Sequence, residues 1–382
     1  MTVTPTPARI DVLIPVFNAA ATIEESLTSI LRQSVRDIRV VVVDDGSTDD
    51  TRGIVARMQS ADPRIVAILV PHGGIVDALN AGLAVCTADI IARHDADDIA
   101  FAERFAVQLD YLDDHPDCIA VGANAWHIDA AGKRIGTRTT FSGDVAPDFT
   151  LVPAREPYLM HPFLMVRRAA LVAVGGYRHA FHSEDADLYW RLLDHGRLHN
   201  LNAVLGEYRL HNASISGASA LNGRISAVNS QLAAISHRRR VLGQADIEFP
   251  RKALAASMQA ETLERIVGEA ARTLDADERC YIEVAVSLKL LWLAEVRSYP
   301  LSEEDHRVIA RWLEARWSGL PALQRSHARW QWRRAVAYLL AQGEWRQAAR
   351  LAGGPVRLAK LSAYIVRGAF GNALRRVRED VA

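Results

Sequence analysis

The sequence predicts an α/β protein, with a doubly wound, mostly parallel sheet in front and an all-α domain behind. Three observations carry this. Apolar, β-branched runs alternate with helix-compatible segments through the first 120 residues, and from Cys118 the rhythm changes to short strands and turns. Beyond Ser216, strand signals nearly vanish in favour of Ala, Leu, Arg and Glu at helical spacing. Continuous apolar strands between amphipathic helices are what a parallel sheet covered on both faces requires. A chain of 382 residues fits one large domain and a smaller one, on a prior of roughly 100 to 200 residues each. The boundary falls within residues 216–225, giving expected domains of 1–220 and 221–382.

In order, residues 10–16 read as a strand, 20–33 as a helix, and 38–43 as a β-branched strand running into Asp44-Asp45-Gly46-Ser47. Then come helix 49–58, strand 64–70, helix 74–85, strand 89–92 and helix 101–114. A hairpin over 125–135 turns at Ala131-Gly132. A loop-rich stretch containing Pro147, Pro153, Pro157 and Pro162 leads to a helix beginning near Ser183, and strand 203–210 closes the unit. In the back, residues 335–351 resemble one tetratricopeptide-like helical hairpin, without a sustained ~34-residue period.

Composition excludes several classes. At 49% hydrophobic and 24% charged the chain is globular rather than disordered. No run approaches the ~18 uninterrupted apolar residues of a spanning helix. The first apolar run, 10–17, contains Asp11 and follows no basic segment, so it reads as a strand and not a signal peptide. Cytoplasmic residence is the expectation. Cys86, Cys118 and Cys280 lie far apart, which indicates neither a disulfide framework nor a cysteine zinc site. The zero net charge divides into −9 up to Ile215 and +9 beyond it, so the basic part is a candidate for anionic partners. There is no zinc-finger or other nucleic-acid motif, and no GxGxxG or GxxxxGK[ST] loop.

The strongest chemical signal is Arg93-His94-Asp95-Ala96-Asp97-Asp98 at the end of an apolar strand. Extended geometry puts Asp95 and Asp97 on one face, at the strand end where open α/β sheets bind ligands. Two carboxylates that close repel unless a cation lies between them, and hard oxygen ligands favour Mg²⁺ or Mn²⁺. A second acidic strand end, Asp44 to Asp49, reads equally as a turn with a helix cap and as acceptors for a base or ribose. His179 and His182 read as ordinary loop histidines rather than a metal pair.

Taken together these pieces resemble the inverting family 2 glycosyltransferases of the GT-A fold. The resemblance rests on Ile14-Pro15-Val16-Phe17-Asn18-Ala19, the Asp44 to Asp49 segment, Gly73-Gly74-Ile75 with residues 78–83, and residues 92–99. It continues through Gly175-Gly176-Tyr177, Ser183-Glu184-Asp185 and Tyr208-Arg209 with His211 and Ser214, in family order over roughly residues 8–217. The resemblance implies a nucleotide-sugar pocket lined by Pro15, Phe17, Asn18, Asp44, Asp45, Gly73, Asn80, Arg93, Asp95 and Glu184. It implies Asp97, with Asp95, as holder of a divalent cation, Asp185 as general base, and His161 at the donor–acceptor junction. A UDP-sugar is the favoured donor, and a glycan or lipid-linked molecule the acceptor. His72 stands where many relatives carry Asn. The QxxRW motif of processive synthases is absent, so single transfers are expected.

The segment 356–381 reads as a basic amphipathic helix. Peripheral contact with an anionic membrane and packing on the helical domain are its two readings. The alternative to an enzyme is a non-catalytic scaffold whose helices bind a partner.

Overall fold

The computed structural model describes residues 8–210, 219–297 and 300–362. Its chain divides into two compact units, Met1–Pro147 with Pro157–Ser214, and Asp148–Glu156 with Ile215–Ala382. The second unit therefore takes in a nine-residue loop that composition alone assigns to the first.

The first unit runs β1 (Ile10–Val16), α1 (Ile23–Leu31), β2 (Ile38–Asp44), α2 (Thr51–Ala61), β3 (Ile65–Leu69), α3 (Ile75–Val85), β4 (Ile90–Arg93), β5 (Ile99–Ala100) and α4 (Arg104–Asp114). It continues through β6 (Cys118–Ile128), β7 (Arg134–Arg138), β8 (Gly143–Asp144), a 3-10 turn at His161–Phe163, β9 (Met165–Arg167), α5 (Arg168–Ala173), α6 (Glu184–Leu192) and β10 (Arg197–Arg209). Among the described residues these strands form one sheet in the order β3-β2-β1-β4-β9-β6-β10-β5, with β7 on β6 and β8 on β10. The four strands β3, β2, β1 and β4 are parallel. Beyond β4 the sheet is mixed, because β9 enters antiparallel between β4 and β6 while β6 and β10 are parallel.

Both faces of the parallel half are covered. Ile10, Val12, Ile14 and Val16 point into one core with Leu27 and Ile30 of α1. Leu13, Val41 and Val43 point into the other with Val76 and Leu79 of α3. Asp11 is fully buried on β1. Its carboxylate accepts from Arg39 Nε and Nη2 at 2.7 and 2.8 Å and from the amides of Thr87 and Ala88 at 2.6 and 2.8 Å. A buried charge supplied with this many donors is tolerated within an apolar strand.

The second unit contains α7 (Ala220–Val241), α8 (Lys252–Ala260), α9 (Leu263–Ala270), α10 (Ala276–Arg297), α11 (Glu303–Arg316), α12 (Ala322–Ala341) and α13 (Trp345–Ala352). The loop Asp148–Glu156 is held there by polar contacts. Ala154 N donates to Gln231 Oε1 at 3.0 Å and Tyr281 Oη at 3.2 Å, and Lys289 donates to Glu156 at 2.9 Å. The hairpin read over 335–351 is α12 and α13, turning at Gly343 with φ +78. Residues 355–362 are helical, and the rest of the 356–381 segment lies outside the described residues. Among the described residues no helix is long and apolar enough to cross a membrane.

Candidate active site

The first wall is built by the carboxyl ends of β1 and β2. Pairing of β1 with β4 ends at Leu13–Arg93, so Pro15, which has no N–H, removes no ladder bond on that side. Asn18 adopts φ +50, and its Oδ1 accepts from Thr48 N at 2.8 Å. Asp44 and Asp45 are buried and hold the flanking loops. Asp44 accepts from Ser47 N at 2.8 Å and Arg52 Nε at 3.2 Å. The two Asp45 oxygens accept from Gly73 N at 2.8 Å and Gly74 N at 2.9 Å. Gly74 sits at φ +90, a conformation that L side chains rarely adopt. On the rim, Phe17 and His72 stack with ring centroids 4.3 Å apart.

The acidic loop after β4 forms the floor. Arg93 is 3% exposed and ion-paired with Asp95 through Nη2, while its Nε and Nη1 are covered and have no hydrogen-bond partner. One carboxylate oxygen from each of Asp95, Asp97 and Asp98 lies within 4.8 Å of the others. Burial raises the Asp95 carboxyl above its ordinary range, against the pull of Arg93. Burial, followed by the charges of Asp95 and Asp97, raises Asp98 further. Among the described residues this is the one group of three or more such side chains placed to hold a metal ion. His179 instead pairs with Asp77 at 3.0 Å.

A buried network supports the loop from behind. Arg104 is fully buried, and burial pushes its guanidinium down to about 9. Its Nη1 donates to His94 Nδ1 at 3.0 Å, which leaves Nε2 as the protonated nitrogen donating to the Asp98 carbonyl at 3.2 Å. Burial and the neighbouring Arg104 keep His94 neutral. Arg209 donates from Nε to the Asp97 carbonyl at 2.8 Å and from its backbone N–H to Asp98 Oδ1 at 2.9 Å. Its Nη2 reaches Glu25 at 2.7 Å.

The remaining wall is the start of α6. Asp187 is buried between Arg178 and Arg191, which anchors that turn. Glu184 Oε2 is covered and has no partner, and burial, then the charge of Asp185, pushes the Glu184 carboxyl up to about 7. Asp185 Oδ1 accepts from Ala186 N at 2.8 Å. His161 is 8% exposed, meets Tyr177 Oη at 2.9 Å, and is held neutral by burial and the charge of Arg93. Asn80 brackets Tyr177, donating to its carbonyl and accepting from its N–H at 2.9 Å each. The Arg93 charge acts on Asp95, His161, Tyr177 and Glu184 alike, so these four groups share one electrostatic neighbourhood.

The candidate catalytic, nucleotide-sugar and metal residues singled out in the sequence all lie in this first unit. Asn80 and Asp45 turn both ends of their side chains to backbone groups, which the sequence reading did not anticipate. Asp98, Tyr177 and Arg209 occur in the motifs of the sequence reading without a role of their own, and Arg104 does not occur in it at all. His211 and Ser214 lie outside the described residues. The donor set suits a hard divalent ion: three clustered carboxylates, one with an orphaned buried oxygen, and no thiolate.

The family model described as Glycosyl transferase family 2 matches residues 11–174, ending before Glu184 and Asp185. The amylovoran biosynthesis glycosyltransferase AmsE of Erwinia amylovora is 30% identical over 202 residues, covering 52% of this chain and 75% of the relative. The O-antigen biosynthesis glycosyltransferase WbnJ of Escherichia coli is 28% identical over 214 residues, covering 54% of this chain and 81% of the relative. Among solved structures, S. aureus TarS superposes with a TM-score of 0.51 at 15% identity, covering 90% of this chain and 54% of that one. At that identity the likeness is one of fold.

Proposed function

The chain belongs to glycosyltransferase family 2, and from that premise we propose that its first unit performs metal-dependent, inverting, non-processive sugar transfer. The donor is a nucleotide-sugar, with UDP-sugars favoured. The acceptor is a glycan or lipid-linked molecule in surface polysaccharide biosynthesis. The observation that carries this reading is the shared surroundings of the Asp95-Asp97-Asp98 floor and the Glu184-Asp185 turn, both within reach of the Arg93 charge.

Inversion by direct displacement needs a stabilised leaving group on one face of the anomeric carbon and a proton acceptor on the other. A divalent cation, held by Asp97 with Asp95, would supply charge stabilisation for the departing diphosphate. Asp185 takes the proton of the acceptor hydroxyl as that oxygen attacks. Glu184, whose covered Oε2 has no hydrogen-bond partner, is the second carboxylate of this turn. His161 serves as a neutral wall at the junction, since a ring held neutral and hydrogen-bonded to Tyr177 is a poor proton acceptor. Phe17, Asn18, Asp44 and Asp45 form the nucleoside end, and Asp45 also fixes the Gly73-Gly74 loop beside it.

The test is a panel of UDP- and GDP-sugars incubated with the full chain and Mn²⁺, with release of nucleoside diphosphate measured. Release from one donor, abolished by EDTA, is expected. No release from any donor, with or without acceptor glycans, would favour the scaffold alternative.

A further inference from the structure

The aspartate after the DxD tripeptide is set apart from its neighbours by where its two oxygens go. Asp98 is fully buried. Its Oδ1 accepts the backbone N–H of Arg209 at 2.9 Å, which fixes the carboxylate plane. Its Oδ2 is covered by protein and has no hydrogen-bond partner. A buried carboxylate oxygen without a donor is unfavourable and calls for an explanation, an ion among the usual ones. One carboxylate oxygen of Asp98 lies within 4.8 Å of oxygens of Asp95 and Asp97, and ionised carboxylates offer no hydrogen.

We propose that Asp98 is a direct ligand of the divalent cation through Oδ2, so that the chain contributes three carboxylates rather than the two of the DxD tripeptide. The inference rests on the metal-dependent reading above and extends it to a residue outside that motif. Several features hold the ligand in place. Arg209 orients the carboxylate, His94 Nε2 donates to the Asp98 carbonyl, and Arg104 fixes His94 from behind. Oxygen-only ligation by carboxylates suits Mg²⁺ or Mn²⁺, and the positions left over would go to donor phosphates and water.

Asp98→Asn is the informative variant. The Arg209 N–H demands an acceptor, so the amide must turn its oxygen there and its NH₂ group toward the cation, where it cannot ligate. Binding of Mn²⁺ alone to the full chain, followed by the EPR signal of the free ion, is expected to weaken about tenfold or more. The metal-free variant should keep a cooperative thermal transition within about 2 °C of wild type, since its backbone contact survives. ENDOR on Mn²⁺-loaded wild-type protein carrying ¹³C-carboxyl aspartate gives an independent count, with three coupled carboxylates expected.

Unchanged Mn²⁺ affinity in Asp98→Asn, or two coupled carboxylates in the wild type, would overturn the proposal and leave metal dependence standing. Loss of the metal-free fold in the variant would place Asp98 in the framework and overturn it as well. Absence of Mn²⁺ binding by the wild type would remove both the proposal and the metal-dependent reading.

Discussion

Glu184 and Asp185 are adjacent carboxylates with different surroundings. Glu184 Oε2 is covered and unpartnered, whereas Asp185 accepts from the amide that follows it. Asp185→Asn keeps the volume and an oxygen for Ala186 N but removes the proton acceptor. Turnover should fall by ~10² to 10⁴-fold while donor affinity, measured by calorimetry, stays within about twofold. Glu184 makes a separate prediction about pH. Its carboxyl is raised from 4.5 to about 7, so the folded state holds a proton that the unfolded chain has released. The associated stability is full below pH 4.5 and is lost as pH rises toward 7. Glu184→Gln does not titrate. Its melting temperature relative to wild type should therefore be higher at pH 8 than at pH 5, by about 2–4 °C if solvent screening leaves about 1 kcal/mol of the effect. A difference independent of pH would mean that Glu184 titrates normally.

The elements that could be read directly are those whose burial writes a pattern into the chain. Strands β1 and β2 are buried on both faces and are apolar at nearly every position, and the start of α6 is marked by Ser183 with three acidic residues in its first turn. Strands β5 and β9 have two and three residues, too few to show any periodicity, yet they shape the site. β9 separates β4 from β6, and β5 follows Asp98 directly and pairs with β10 at Gly206. That glycine was not legible as a requirement either, because its neighbours come from distant segments. A Cβ there would lie 2.2 Å from Phe163 Cε1 and 2.4 Å from the Ile99 carbonyl oxygen. Gly206→Ala should consequently cost about 1–3 kcal/mol in denaturant unfolding. An unchanged midpoint would show that β5 is free to shift. The roles of Arg104 and Arg209 were hidden for the same reason: they donate to carbonyls that only folding brings near.

At the scale of the molecule, alternating composition identified an α/β front and a helical back. The loop Asp148–Glu156, which belongs with the helices, was read with the front because its residues neither alternate nor repeat. Its membership is set by long-range partners, Gln231, Tyr281 and Lys289, that no local window contains. The opposite charges of the two halves remain a property of the whole chain, and the acidic front includes the carboxylates to which the proposed cation is assigned. The central claim is that this front binds a nucleoside diphosphate through that cation. Calorimetric titration of UDP, and of GDP in parallel, into the full chain in Mn²⁺ and again in EDTA tests it most directly. At least one nucleotide should bind about tenfold or more tightly with Mn²⁺, and affinity that is equal in the two buffers for both nucleotides would contradict the account.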